Sequence, residues 1–464
     1  METHSNRTYL FRQSLFAITA LLHGICAGSV FGYTSILFQQ LQDAQNTSNA
    51  NETVITLTAG QQSWIASVPT LAMIPSTLIT SWALEQFGRK KMALTAILFN
   101  LAGWVTMYFS HTYEVMLASR TFSGVFTGMG YSVFITYLGE VTAPSVRAFF
   151  LSFLPLGCTI GVFICQLLGT LFNWKTIALL LSAIPIYNTL MITFYMSESY
   201  IWFKNRSQIK KAYAAFIWYR GFGPKAKDEF TKATEMVEIF PEATFTEKIR
   251  SCADRSFLMP FGITTLTFIT NQLSGNMALV FYTSTIIGII SDDHNVQYYS
   301  TILLNILRIV ATIASCILVK VVSVRKVLTV GGLLLSGSLV NLALFLYLST
   351  VYPETKAFPI VCMVSVISNV IAFATSIGPL PSVICGELFP AKTRGIGAPL
   401  SACCSFISLF IIIKVLPIML KMLTPAGTFL FFAICTFVGV NIIALLLPDT
   451  KNKTLKDIEN IYQH

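Results

Sequence analysis

A chain of 464 residues with 54% hydrophobic and only 11% charged side chains has too little polar surface to cover a soluble globule of its size, so it belongs in a lipid bilayer. The formal net charge of +10 does not point to nucleic acid, because the basic residues are not gathered among aromatics on one soluble domain. Their spread reads instead as membrane orientation.

Hydropathy predicts twelve spans, at 13 to 38, 62 to 84, 92 to 110, 114 to 138, 147 to 171, 176 to 196, 257 to 289, 300 to 320, 327 to 350, 358 to 385, 395 to 420 and 425 to 447. Each is near the roughly 20 residues that cross a bilayer as helix. The first apolar run, Leu15 to Phe38, is longer than a signal-peptide core and ends without a small-residue cleavage pattern, so it is expected to remain as the first span. Between the sixth and seventh spans lies one long polar stretch, Phe203 to Arg255, in which IKKAYAAFIWYR and FTKATEMVEIF carry apolar residues at helical spacing. The expected architecture is an all-α membrane protein: a six-helix bundle over 1–202, a cytoplasmic helical linker over 203–255, and a second six-helix bundle with a short cytoplasmic tail over 256–464.

Lys and Arg set the orientation. With both termini in the cytosol, Arg7, Arg12, Arg89, Lys90, Lys91, Arg147, the linker, Arg325, Lys326, Lys392 and Arg394 all fall inside, and the outer loops keep chiefly Lys175, Lys356 and Lys421. Five Asn-x-Ser/Thr patterns occur, at Asn6, Asn46, Asn51, Asn205 and Asn452. Only Asn46 and Asn51, in the first outer loop, are expected to be glycosylated. Nine of the ten Cys lie in apolar segments and are read as packing residues, and no metal-type spacing occurs. The five scattered His, with no catalytic dyad or phosphate loop, argue against an enzyme and imply no cofactor or metal.

Two stretches repeat. YLGEVTAPSVR, Tyr137 to Arg147, returns as CGELFPAKTRG, Cys385 to Gly395, and in each copy a Glu is followed seven residues later by an Arg with a Pro between. Each copy ends a long apolar segment, so the charges sit where a helix leaves the membrane, and the repetition suggests a duplicated membrane protein. After the second span, SWALEQFGRKK supplies a tight Gly turn with Glu85 and Arg89 able to pair across a helix junction.

These residues resemble the sugar porter family of the major facilitator superfamily. The resemblance rests on FGRKK, on SRTFSGVFTGMG at Ser119 to Gly130, on YLGEVTAPSVR and SESYIWF, and in the second half on NQLSG at Asn271 to Gly275, GPLPS, GELFPAKTRG and PDTKNKTL. SWIAS at Ser63 to Ser67 and Thr159-Ile-Gly161 look most like the insect branch that includes facilitated trehalose transporters. The resemblance implies two six-helix bundles that open alternately to the two sides. It implies that Glu85, Arg89, Glu140, Arg147 and Glu198 form an inner ion-pair network, with Glu387 and Arg394 as its counterpart, and that these pairs close only when the inner ends of the bundles meet. The second half departs from the family here: Lys320-Val-Val-Ser-Val-Arg325-Lys326 replaces an Asp-Arg-x-Gly-Arg-Arg turn. Its latch is therefore expected to be weaker, so Glu387→Gln should reduce uptake less than Glu140→Gln, and an equal or larger loss would contradict this.

A sugar presents many hydroxyls and no charge, so its site needs neutral amides and hydroxyls near the bilayer midplane. Asn271 and Gln272, just before Ser274-Gly275 where a helix can break, are the leading candidates. Gln166 and Asn276 follow, the latter displaced by one position from the family's pattern. Ser382 stands where relatives carry Trp, Ser405 and Phe406 where many carry Asn and Trp, and Pro155 where another amide is common. Arg308 in the eighth span is either a substrate or gating residue or a side chain that snorkels outward. Lys414 and the first-span His23 read as ordinary packing and surface residues.

Proton-driven porters of the family carry Asp in a Gly-Tyr-Asp setting in the first span, whereas this chain reads Phe31-Gly-Tyr-Thr34. Facilitated diffusion of a sugar such as trehalose or a hexose is therefore expected, by a monomer in the plasma membrane. A proton-coupled sugar or polyol symporter, and a sugar sensor that binds without transporting, are the alternatives. The short tail after Pro448 favours the transporter over the sensor.

Overall fold

The structure is a computed structural model that describes residues 2–47, 55–142, 149–221, 230, 254–279, 294–352, 355, 357–389 and 394–448. The expectations for Arg147, Asn51 and the second linker helix lie outside these residues, as do the side chains of Asn46, Glu387 and Arg394.

The described residues form helices and no strand. In the first half these are α1 (Glu2–Thr47), α2 (Ala59–Phe87), α3 (Arg89–Tyr108), α4 (Tyr113–Val141), α5 (Phe153–Leu171), α6 (Trp174–Tyr195), α7 (Tyr200–Asn205) and α8 (Ile209–Arg220). The second half holds α9 (Arg255–Gln272), α10 (His294–Val321), α11 (Val324–Val351), α12 (Ala357–Thr375), α13 (Leu380–Leu388), α14 (Arg394–Met422) and α15 (Thr424–Leu446). Eight segments among the described residues are long and apolar enough to cross a membrane. The third, fourth and eighth expected spans coincide with α3, α4 and α10, and the seventh begins with α9.

Local chemistry explains several helix starts. Thr58 and Gln61 form a reciprocal capping box at α2, the Thr58 hydroxyl accepting from the Gln61 N–H at 3.3 Å and the Gln61 side chain from the Thr58 N–H at 2.9 Å. Asn173 accepts from the Thr176 N–H at 2.8 Å and starts α6. Two expected spans are not continuous helix. The seventh stops at Gln272 and turns through Gly275, at φ +72°, and the tenth is interrupted by turns at 376–379 between α12 and α13.

The chain divides into two compact units, Met1–Gln61 with Val68–Arg250, and Gln62–Ser67 with Ser251–His464. In the first, α1 and α5 approach backbone to backbone. A Cβ on Gly28 would lie 1.9 Å from the Cys158 carbonyl oxygen, and one on Gly161 2.1 Å from that of Ile25. Lipid tails are as apolar as the helices, so close van der Waals contact through small residues has to supply what water would drive in a soluble protein. His23 packs here as expected, its ring centroid 4.5 Å from both Phe126 and Phe134 in space left by the absent side chain of Gly130. The linker helix α8 belongs to this unit: it buries Ala212, Ala215, Phe216 and Tyr219, and Gln13 of α1 donates to the Tyr219 carbonyl at 2.7 Å.

In the second unit one core gathers around Phe429, Phe432, Leu339 and Val366, and another around Leu335, Leu380 and Val440. Large apolar side chains point outward as well, Leu445 being 79% exposed. A membrane helix can present such a face because lipid covers it.

Candidate functional site

The facing ends of α2, α3, α4 and α6 are joined by a charge cluster whose centre is Arg89. Gly88 has φ +92°, and a Cβ there would sit 2.5 Å from Glu198 Oε2. Glycine is thus required twice, for its backbone angle and for the carboxylate beside it. Glu198 explains that contact. Helix α3 begins at Arg89 with no side-chain cap of its own, and the Glu198 carboxylate accepts its first two N–H groups, Arg89 at 2.8 Å and Lys90 at 3.0 Å. A negative group on the open N–H groups of a helix start is favoured by hydrogen bonding and by the helix dipole together. The exchange is reciprocal, because Lys90 Nζ donates to the Thr193 and Met196 carbonyls at the end of α6, at 2.9 and 2.7 Å.

The Arg89 side chain, only 2% exposed as a residue, grips Glu140 of α4 with two groups, Nε to Oε2 at 3.0 Å and Nη2 to Oε1 at 2.7 Å. Nη1 donates to the Leu84 carbonyl at 3.1 Å, and Nη2 also reaches Glu85 at 3.2 Å. Burial by itself lowers the guanidinium pKa, but the Glu140 and Glu85 carboxylates and Glu198 outweigh it and hold the group above its ordinary value. Ser199, which was not expected to contribute, donates its hydroxyl to Glu140 and accepts from the Ile201 N–H to start α7. Four of the five residues expected in the inner network of this half therefore meet, Glu85, Arg89, Glu140 and Glu198. Their bonds all join residues of one unit, and none of these contacts uses a partner from the second half.

In the second unit, Gln272 and Ser405 are brought together. Gln272 Nε2 donates to Ser405 Oγ at 2.9 Å, joining the last residue of α9 to the wall of α14. About two turns back on α9 and one turn back on α14, Thr264 and Ser401 pair at 2.9 Å, a contact not foreseen from sequence. Asn271 is placed differently: its amide donates to the Ile377 carbonyl at 2.7 Å, in the interruption of the tenth span. Asn276 is half-buried just past the Gly275 turn, Ser382 is exposed on α13, Gln166 is half-buried on α5, and Arg308 is half-buried on α10. Gln166 lies in the other unit.

In the first unit, Arg120 of α4 is 1% exposed and donates to the Val30 carbonyl at 2.8 Å and to the Thr34 hydroxyl. Thr34 is thus engaged by a buried cation. Sequence reasoning quoted Arg120 within a motif and gave it no role. Among the described residues no group of His, Cys, Asp and Glu is arranged to hold a metal.

The family model described as "Sugar (and other) transporter" matches residues 16–462. The facilitated trehalose transporter Tret1 of Polypedilum vanderplanki is 26% identical over 461 residues, covering 98% of this chain and 89% of that protein. That of Drosophila virilis is 26% identical over 464 residues, covering 98% and 49%, so this chain spans about half the length of that relative. Among solved structures, the proton:xylose symporter XylE bound to 6-bromo-6-deoxy-D-glucose aligns with a TM-score of 0.77 at 14% identity, over 97% of this chain and all of that one. Inward-open XylE from E. coli aligns with a TM-score of 0.74 at 15% identity, over 98% and 99%. At such identity the likeness shows the fold, which is twelve membrane helices in two six-helix bundles.

Proposed function

Because the chain belongs to the Sugar (and other) transporter family, a family of multi-pass membrane transporters, we propose that it carries a sugar such as trehalose or a hexose down its gradient by alternating access. The observation that carries this reading is the Gln272–Ser405 pair. An amide and a hydroxyl, neutral and beside a broken helix, offer both donors and acceptors to an uncharged polyhydroxy ligand. Asn276, Ser382 and Arg308 complete the proposed ligand set of this unit, and Gln166 is the ligand residue proposed for the first unit. The trehalose-transporting relatives of Polypedilum and Drosophila support the substrate class.

Facilitated diffusion is preferred over proton coupling because Thr34 occupies the place of the family's proton-binding Asp. Its hydroxyl, held by Arg120, has no proton to exchange in the physiological range. The inner cluster of Glu85, Arg89, Glu140 and Glu198 is proposed to make the ends of α2, α3, α4 and α6 a single rigid block on which a gate is built, with Arg147 joining it and Glu387 and Arg394 serving the second half. The further proposals are a plasma-membrane monomer, both termini cytoplasmic, and glycans at Asn46 and Asn51.

Labelled uptake in expressing oocytes, across trehalose, glucose and a few polyols, tests the reading. Saturable uptake of a sugar that survives a protonophore at constant outer pH is expected. Uptake abolished by the protonophore would establish coupling, and absence of uptake despite surface expression would leave a sensor.

A further inference from the structure

Two helix interruptions lie in the second unit, and one side chain joins them. Helix α9 ends at Gln272, and the chain turns through Leu273, Ser274 and Gly275. In the tenth span, turns at 376–379 separate α12 from α13, with Gly378 and Pro379 in the gap and Pro381 following. An interruption inside a membrane segment frees carbonyls that lipid cannot satisfy, so protein groups must take them. The Asn271 amide does so, donating to the Ile377 carbonyl at 2.7 Å and reaching the Gly378 carbonyl at 3.5 Å. Each interruption is also braced from behind. Thr436 of α15 reaches the Leu273 carbonyl at 3.4 Å, and Gly331 of α11 leaves the space that Ser376 fills, a Cβ there meeting the Ser376 Cβ at 2.2 Å.

Adjacent residues therefore do different work. Gln272 turns to a side-chain hydroxyl on α14, while Asn271, about 100° around the helix, is committed to backbone. We infer that Asn271 is a positioning residue that ties the interruption of the seventh span to that of the tenth, so that the two unwound segments move as one when the second half rearranges. Rearrangement of such segments sets the rate of a carrier, whereas contacts to the ligand set its affinity. The inference rests on the transport reading above for its kinetic consequence, and on geometry alone for the tie.

The test compares Asn271→Leu, Asn271→Ser and Gln272→Leu in the full chain. The first readout is exchange of labelled sugar, normalised to surface density, with the sugar that the wild type carries. The second is hydrogen–deuterium exchange of peptides covering 373–380 in detergent. Asn271→Leu is expected to lower the maximal rate roughly tenfold with KM changed less than about twofold, and Gln272→Leu to raise KM roughly tenfold. The amides of Gly378 and Leu380, which donate to Phe373 and Ser376, should exchange faster in both Asn271 variants and not in Gln272→Leu. Asn271→Ser keeps a donor too short to span the gap and serves if the Leu variant does not reach the surface. A raised KM at unchanged rate in an Asn271 variant would make it a ligand residue and overturn the inference, as would unaltered exchange at 373–380. If the wild type moves no sugar, the transport reading fails and the exchange measurement alone decides the tie.

Discussion

Replacing Arg89 with leucine is expected to lower stability by about 3 kcal/mol or more, seen as a marked drop in thermal midpoint in detergent and in surface expression. Removing one partner of a buried ion pair strands the other charge, which typically costs about 3–5 kcal/mol. Here the side chains of Arg89 and Glu140 are 3% and 12% exposed, and they meet at 2.7 Å. Glu140 would keep only the Ser199 hydroxyl among its described partners, and the Leu84 carbonyl would lose one of its two donors and keep the Gly88 N–H. The contact to Glu85 is a different matter, because that carboxylate is 47% exposed. Glu85→Ala should therefore change stability by no more than about 1 kcal/mol. A double-mutant cycle decides the case: Arg89→Leu with Glu140→Leu should be more stable than Arg89→Leu alone, and simple additivity would show that the pair is not coupled.

Gly28→Ala is expected to be nearly as damaging, although it adds one methyl group. The new Cβ would fall 1.9, 2.6 and 2.8 Å from the O, C and Cα atoms of Cys158, all of them backbone. No side chain can move aside, so α1 and α5 have to separate along their length. Overpacking costs about 1–3 kcal/mol in soluble cores, and the upper end applies where rigid helices meet through their backbones. Gly337→Ala is the control. It lies inside α11 with nothing within 4 Å of the added atom, and in a helix interior Ala is favoured over Gly by up to about 1 kcal/mol. The same substitution should thus act in opposite directions at the two positions, read as monodisperse folded protein and thermal midpoint. Equal behaviour would refute the close-contact account of the α1–α5 interface.

The spacing of Gly24, Gly28 and Gly32 against Gly157 and Gly161 was present in the sequence and carries a known reading as a close helix contact. Its importance shows only when the partner helix is in place, because a glycine stripe has the same composition whether it meets lipid or another backbone. Glu198 is similar. It belonged to an expected ion-pair network, yet its main contacts are the N–H groups of α3, which follow from where that helix happens to begin. Ser199 was legible only as a neighbour of Glu198, since nothing local says that its hydroxyl faces α4.

By itself the sequence determined that this is a multi-pass helical membrane protein, where most of its helices lie, and that the seventh span can break near Gly275. These follow from composition, hydropathy and turn chemistry over a few tens of residues, and the bilayer enforces them because any chain inside it must satisfy its own backbone. Only the tertiary structure decided how the polar groups are shared out: Arg89 closing its network inside one half, Arg120 holding Thr34, Gln272 facing Ser405, and Asn271 committed to the tenth span. The physical reason is that a hydrogen bond is made over about 3 Å, between residues here as much as 206 positions apart, so the partner is chosen by packing and not by neighbours in the chain.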